Sequence, residues 1–239
     1  MFERLLIVGP GRLGLALGYA LWQVDAVGDL VYCGRRPDPP SHPLFGQGVA
    51  TYQFGLLAPP PGTDAVILAV PPGVLPELAH ALAAQGRPAP ETVALHTAGA
   101  LSAEVLGPLH TAGYAVGTLH PFQSVGHSIE GAERLVGSAF AVSGEGQARH
   151  IGRRLVAALN GDPLEIGVHR RPLAHAASVL MSNGLAALLG ASTDLLTRAG
   201  VEADQARAAL FSLAAGSLSD LETGTVPAGP IGEGDHEAL

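Results

Sequence analysis

The sequence predicts an α/β protein, with a doubly wound, mostly parallel sheet in its N-terminal part and an all-helical C-terminal part. Three observations predict it. Apolar, β-branched runs alternate with helical patterns as far as Pro121, the element order that lays helices on both faces of a parallel sheet. The runs at residues 5–8 and 65–70 are continuously apolar, as in strands covered on both sides. Beyond Arg171-Pro172 no strand pattern remains.

Taken in order, residues 5–8 form a first strand that runs into Gly9-Pro10-Gly11-Arg12-Leu13-Gly14. A helical pattern (Leu13, Ala16, Leu17, Ala20, Leu21) begins at once. Residues 30–33 read as a second strand ending at Gly34-Arg35-Arg36. Residues 37–43 are proline-rich loop, 49–54 alternate weakly like a short edge strand, and Pro59-Pro60-Pro61-Gly62 breaks the chain again. Residues 64–70 form a central strand closed by Pro71-Pro72-Gly73, followed by a helix over 74–84. Residues 92–96 are a strand ending at Thr97-Ala98-Gly99, and Ser102 caps a helix through Leu109. Residues 114–119 make a strand ending at His120-Pro121-Phe122-Gln123. A short strand at 138–142, an amphipathic helix at 147–159 and a last strand at 164–166 follow. Residues 173–198 and 202–221 are long helices parted by Gly200, and a Gly/Pro-rich tail begins at Thr223-Gly224.

The chain has 239 residues, 47% of them hydrophobic, and a formal net charge of -8. That is ample for a buried core in one large domain or two modest ones. An acidic chain with 13 cationic side chains is poorly suited to nucleic acid or an anionic membrane surface. The single cysteine excludes an internal disulfide, and a cytoplasmic setting is expected. No basic segment precedes a long apolar run at the N-terminus, so no leader is expected, and no apolar run reaches the ~18–20 residues of a bilayer span.

The glycine turn carries the chemistry. In G-x-G-x-x-G between strand and helix, Gly9 allows the tight turn, Gly11 lets a pyrophosphate approach the backbone, and Gly14 lets helix pack on strand. The helix that starts near Arg12 would point its free N–H groups at the phosphates. About 20 residues on, NAD-binding folds place an acid against the ribose hydroxyls. Arg35 and Arg36 stand there instead, and a guanidinium can pair with a 2′-phosphate that a carboxylate would repel. NADP is therefore expected ahead of NAD. Val70, Pro71, Pro72 and Thr97 fall at strand ends where the nicotinamide ribose and ring would lie.

The sequence resembles the DUF2520-type family, a Rossmann-like group with a helical C-terminal domain, related to pyrroline-5-carboxylate reductases and 6-phosphogluconate-dehydrogenase-like oxidoreductases. The resemblance rests on the glycine turn, His96-Thr97-Ala98-Gly99-Ala100-Leu101, Leu119-His120-Pro121-Phe122-Gln123-Ser124, Ala174-His175-Ala176-Ala177 with Ser182-Asn183, and Gly229-Pro230-Ile231 with Gly234-Asp235. It implies a Rossmann domain over residues 1–165, a helical domain over 166–239 that mediates dimerisation, and an NADP-linked reductase or dehydrogenase with its substrate between them. Two departures stand out. Glu233 occupies a position where the family tends to have arginine, and the chain ends at Leu239 where the family continues in helix, so a short or truncated helical domain is expected.

Hydride transfer needs a group to give or take a proton. His120, at a strand end, and His175, on the first long helix, are the candidates, with Asn183 to orient a carbonyl or imine. His175, Val179, Ser182 and Asn183 share a face at helical spacing. His96 ends a buried strand and reads as a partner for the neighbouring loop. Related β-hydroxyacid dehydrogenases use a helix lysine as the acid, but this sequence contains none. No metal-ligand cluster and no G-x-S-x-G nucleophile occurs. The expected activity is an NADP-dependent oxidoreductase acting on a small carbonyl, imine or hydroxy compound. The rival readings are a dinucleotide-binding sensor without turnover and an oxidoreductase that uses coenzyme F420.

Overall fold

A computed structural model describes residues 1–225. The chain forms two compact units, Met1–Ser178 and Val179–Leu239. The first holds an eight-stranded sheet made of β1 (Phe2–Val8), β2 (Val27–Gly34), β3 (Ala50–Phe54), β4 (Thr63–Leu68), β5 (Val93–His96), β6 (Ala115–Pro121), β7 (Ala139–Gly144) and β8 (Asp162–Leu164). Their order is β3-β2-β1-β4-β5-β6-β7-β8. Pairing is parallel from β3 across to β6, turns antiparallel between β6 and β7, and is parallel again between β7 and β8. The chain order reverses at β1 and β4, and ligands of open α/β sheets bind beyond the strand C-termini at that switch point.

The continuous apolar runs are explained by two covered faces. Leu5 and Ile7 of β1, with Ala65 and Ile67 of β4, share one core with helices α1 (Arg12–Gln23), α5 (Ser128–Leu135) and α6 (Gly146–Ala158). Leu6, Val8, Val66 and Leu68 alternate to the other face, against α3 (Leu75–Ala83) and α4 (Gly107–Ala112). A further, short helix, α2 (Pro43–Gly46), begins where the proline-rich loop was expected to end; its start is capped by His42, whose ring accepts from the Leu44 N–H at 3.3 Å.

Three further differences have local causes. Helix α5 is only eight residues long and buries only Gly131, Ala132 and Leu135, too short a run to stand out from the flanking loops. The last strand runs through Asp162-Pro163-Leu164 rather than 164–166, and as an exposed edge strand it tolerates its proline. The first compact unit continues past the expected boundary at residue 165 to Ser178, because helix α7 (Arg171–Val179) begins with a side chain buried in it.

The two long C-terminal helices are present as α7 with α8 (Leu185–Arg198), joined by a π-helical turn at Leu180–Gly184, and α9 (Ala203–Glu222). Glu202 caps α9 by accepting from the Asp204 and Gln205 N–H groups. The helical run Val168–Arg198 reaches a mean hydropathy of 1.4, which by length and composition alone would let it cross a membrane. Ser182, Asn183 and Gly184 interrupt the apolar side chains of that run. Gly229, Pro230, Ile231, Glu233, Gly234 and Asp235, and the expected truncation, lie outside the described residues.

Candidate functional site

The C-terminal edge of the sheet is levelled by backbone bonds that continue the ladder beyond the strands. Gly9 N–H donates to Cys33 O (3.0 Å), Ala69 N–H to Val8 O (2.9 Å) and Thr97 N–H to Leu68 O (3.3 Å). The loops after β2, β1, β4 and β5 therefore start side by side. Among them the three glycines of the turn have three different surroundings. Gly9 has a φ of 101°, and a Cβ there would lie 2.6 Å from Ala69 O and 2.9 Å from Val70 Cγ1. A Cβ on Gly14 would lie 2.2 Å from Gly9 O and 3.3 Å from Ile7 Cγ2. A Cβ on Gly11 would meet nothing within 4 Å. Gly9 and Gly14 are thus required by the fold, whereas Gly11 borders open space.

Gly11 is also the N-cap of α1, in extended conformation and with no side-chain cap bond, so the first N–H groups of the helix face outward unmet by side chains. The Arg12 guanidinium reaches Gly126 O at 3.5 Å, and Leu13 packs partly buried against the core. Pro10 fits against Gly34, where a Cβ would come within 2.9 Å of its ring, which brings the end of β2 onto the glycine turn. Arg35 and Arg36 follow directly and are exposed; Tyr52 OH donates to Arg36 O at 2.5 Å and fixes that backbone. Val70 is half-buried beside Gly9, and Pro71 and Pro72 are exposed at the start of a 3-10 turn. Open space at Gly11, an uncapped helix start and exposed arginines after β2 fit a phosphate-bearing dinucleotide.

A second constellation lies at the ends of β5 and β6. The Ala98 N–H donates to His96 Nδ1 (3.2 Å), so the ring proton is on Nε2, which donates to Ser102 O (3.0 Å). Burial, chiefly, pushes the His96 pKa down to about 4. Fully partnered and neutral, His96 orders the 97–102 loop. His120 differs. Its Nδ1–H donates to Thr97 O at 2.9 Å, and its Nε2 is buried with no hydrogen-bond partner. Burial, and then the charges of His175 and Arg171, hold its pKa below 6.5, against the opposing pull of the Thr97 bond.

His175 approaches from α7 with its ring centroid 5.8 Å from that of His120, and its Nδ1 is likewise buried without a partner. Both nitrogens point at Gly99. A Cβ on that glycine would sit 2.5 Å from His175 Nδ1 and 2.6 Å from His120 Nε2. His120, His175, Thr97 and Gly99 are thereby brought together. Asn183 belongs to the second unit, is exposed, and accepts from Ser182 Oγ at 3.0 Å. The π-helical turn that contains it also alters the 100° step on which its shared face with His175 depended.

Sequence reasoning missed Arg171, which is 2% exposed. Its Nε donates to Leu101 O (2.8 Å), and its Nη1 to Thr118 Oγ1 (2.9 Å) and Ser143 Oγ (3.1 Å). In Arg170-Arg171-Pro172 it looks like a surface charge before a helix. The available signal is its place four residues before His175, on the same helix face. Among the described residues, no group of three or more His, Cys, Asp or Glu side chains could hold a metal ion.

Comparison with known proteins agrees with this architecture. Residues 138–239 match the family DUF2520, a domain of unknown function, and residues 55–121 match the Rossmann-like domain. No curated protein sequence matches. A Thermotoga maritima protein superposes with a TM-score of 0.73 at 20% identity, covering 98% of this chain and 85% of that one. A Bacteroides fragilis protein, provisionally described as an NADP oxidoreductase, gives 0.71 at 19%, covering 99% and 88%. The Plasmodium falciparum pyrroline carboxylate reductase, solved with NADP bound, gives 0.67 at 13%, covering 92% and 79%. The chain shares its fold with NAD(P)-dependent dehydrogenases and reductases.

Proposed function

We propose that this chain is an NADP-dependent oxidoreductase, passing hydride between the nicotinamide and a small carbonyl, imine or hydroxy compound. The observation that carries the reading is the glycine turn at the switch point, closed around Gly9 and Gly14 and open at Gly11. The bound cofactor supplies or takes the hydride. Gly11 and the start of α1 receive the pyrophosphate, Arg35 and Arg36 the 2′-phosphate, and Val70, Pro71, Pro72 and Thr97 flank the nicotinamide end. His120 and His175 handle the proton. With Nδ1–H committed to Thr97 O, neutral His120 offers an Nε2 lone pair that can accept a proton from a hydroxyl; once protonated, the same atom donates to a forming alkoxide or amine.

The test is a pair of fluorescence titrations with NADPH and NADH on the wild type and an Arg35→Ala/Arg36→Ala variant. Losing two charge-assisted contacts should weaken NADPH binding by about 10- to 100-fold, roughly 1.4–3 kcal/mol, with NADH unchanged. Equal weakening of both nucleotides would remove the 2′-phosphate assignment. His120→Ala and His175→Ala should keep NADPH affinity and lose turnover; unchanged turnover would remove both from the proton role, and NADPH binding without turnover in the wild type would favour a sensor.

We also propose a homodimer through the second unit. Leu180, Leu188, Leu195, Phe211 and Leu213 are 64–70% exposed there, more apolar surface than a solvated helix pair ordinarily presents. Sedimentation equilibrium should give twice the chain mass without detergent. A monomer, or a protein that needs detergent to stay in solution, would overturn this.

A further inference from the structure

We infer that Arg171 is the anchor for a substrate carboxylate, and that the substrate is a small carbonyl compound bearing its carboxylate on the adjacent carbon. This deepens the oxidoreductase reading above and rests on it.

A guanidinium taken out of water costs several kcal/mol unless an anion compensates it. Arg171 is buried, and its three hydrogen bonds go to one carbonyl and two hydroxyls, all neutral. Among the described residues no carboxylate pairs with it, and its Nη2 is buried with no partner at all. The two N–H groups of Nη2 are what the side chain has left to offer. One of them can donate to the oxygen of a small carboxylate, a charge-assisted hydrogen bond that would compensate the buried charge.

His96, Thr118 and Ser143 are register neighbours on β5, β6 and β7, and Arg171 lies over this row. His120 is two residues further along β6 and His175 one turn further along α7. Both steps are about 6 Å toward the C-terminal edge of the sheet. The loop between β5 and α4 ties the levels together: Thr97 O holds His120, Gly99 lies under both rings, and Leu101 O holds Arg171. An anion on Nη2 thus lies one layer below the unpartnered His120 Nε2 and His175 Nδ1. Two hydrogen bonds with a two-carbon unit between them span such a gap, which fits a carboxylate and a reacting carbonyl on neighbouring carbons.

Oxamate, a non-reducible carboxylate with an adjacent carbonyl, and oxamide, its neutral isostere, separate the outcomes by calorimetry on the full chain with NADPH present. Oxamate should bind the wild type and oxamide should bind at least tenfold more weakly. Arg171→Met should lose oxamate affinity at least tenfold while its NADPH affinity and far-UV spectrum stay as in the wild type. The wild-type comparison stands even if the variant does not fold. Equal binding of oxamate and oxamide, no oxamate binding, or a folded Arg171→Met that keeps oxamate affinity would each overturn the assignment. Failure of the wild type to bind NADPH would instead strike the parent reading, and oxamate titrated onto the free protein would still decide the role of Arg171.

Discussion

Replacing Gly14 by valine should largely unfold the N-terminal unit, while replacing Gly11 by aspartate should leave it folded and abolish NADPH binding. The two glycines are three residues apart in one turn, yet the structure gives them opposite duties. At Gly14 a Cβ would meet Gly9 O at 2.2 Å and Ala69 Cβ at 3.1 Å. The first of these is backbone of the turn itself and has no room to retreat. Overpacking of this kind costs about 3 kcal/mol or more, a large share of a domain's net stability. Thermal denaturation should show a drop of about 10 °C or an unfolded chain.

Gly11 has a φ of -83° and ψ of -177°, an extended conformation open to any residue, with free space where its Cβ would be. Aspartate is a preferred N-cap, so the variant should match or slightly exceed the wild type in melting temperature. Its carboxylate, however, would stand where a pyrophosphate approaches the helix. Repulsion worth about 3 kcal/mol would weaken NADPH binding by roughly 100-fold. A Gly11→Asp protein that binds NADPH normally would place the phosphates elsewhere. A Gly14→Val protein as stable as the wild type would mean that the turn repacks freely.

The glycine turn was legible because its function depends on backbone, and backbone demands leave glycines at fixed spacing. The sheet was legible for a related reason: residues 5–8 of β1 and 65–68 of β4 are covered on both faces and are apolar at every one of those positions. The histidine group was only half legible. Its members come from β5, β6, α7 and the loop at Gly99, and only strand register makes them neighbours. Arg171 was hidden for a sharper reason. Arginine is ordinarily a surface residue, and nothing local distinguishes one that turns inward to Thr118 and Ser143. Helix α5 escaped because it is only eight residues long and meets α1 through the small residues Gly131 and Ala132.

Acid should destabilise the first unit in a window set by its buried histidines. The His96 pKa is lowered from 6.5 to about 4, and that of His120 is lowered as well, burial being the main cause in both. An unfolded histidine titrates near its ordinary value, so between the two values the unfolded chain binds more protons than the folded one. Stability therefore rises with pH across this window. It is fully present above about 6.5 and is lost as pH falls toward about 4. For His96 alone the difference amounts to about 3 kcal/mol. Urea denaturation at pH 7 and pH 4.5, on the wild type and on His96→Asn, isolates the contribution. The variant should be weaker at pH 7, having lost the bridge from Ala98 N–H to Ser102 O, but should lose much less on acidification. Parallel losses in the two proteins would show that His96 protonates in the folded state near its ordinary pKa. The neutral state that burial imposes also matters for chemistry: His96, fixed as a donor to Ser102 O, keeps the 97–101 loop in place, and Thr97 O on that loop sets His120 with its free Nε2 lone pair toward Gly99.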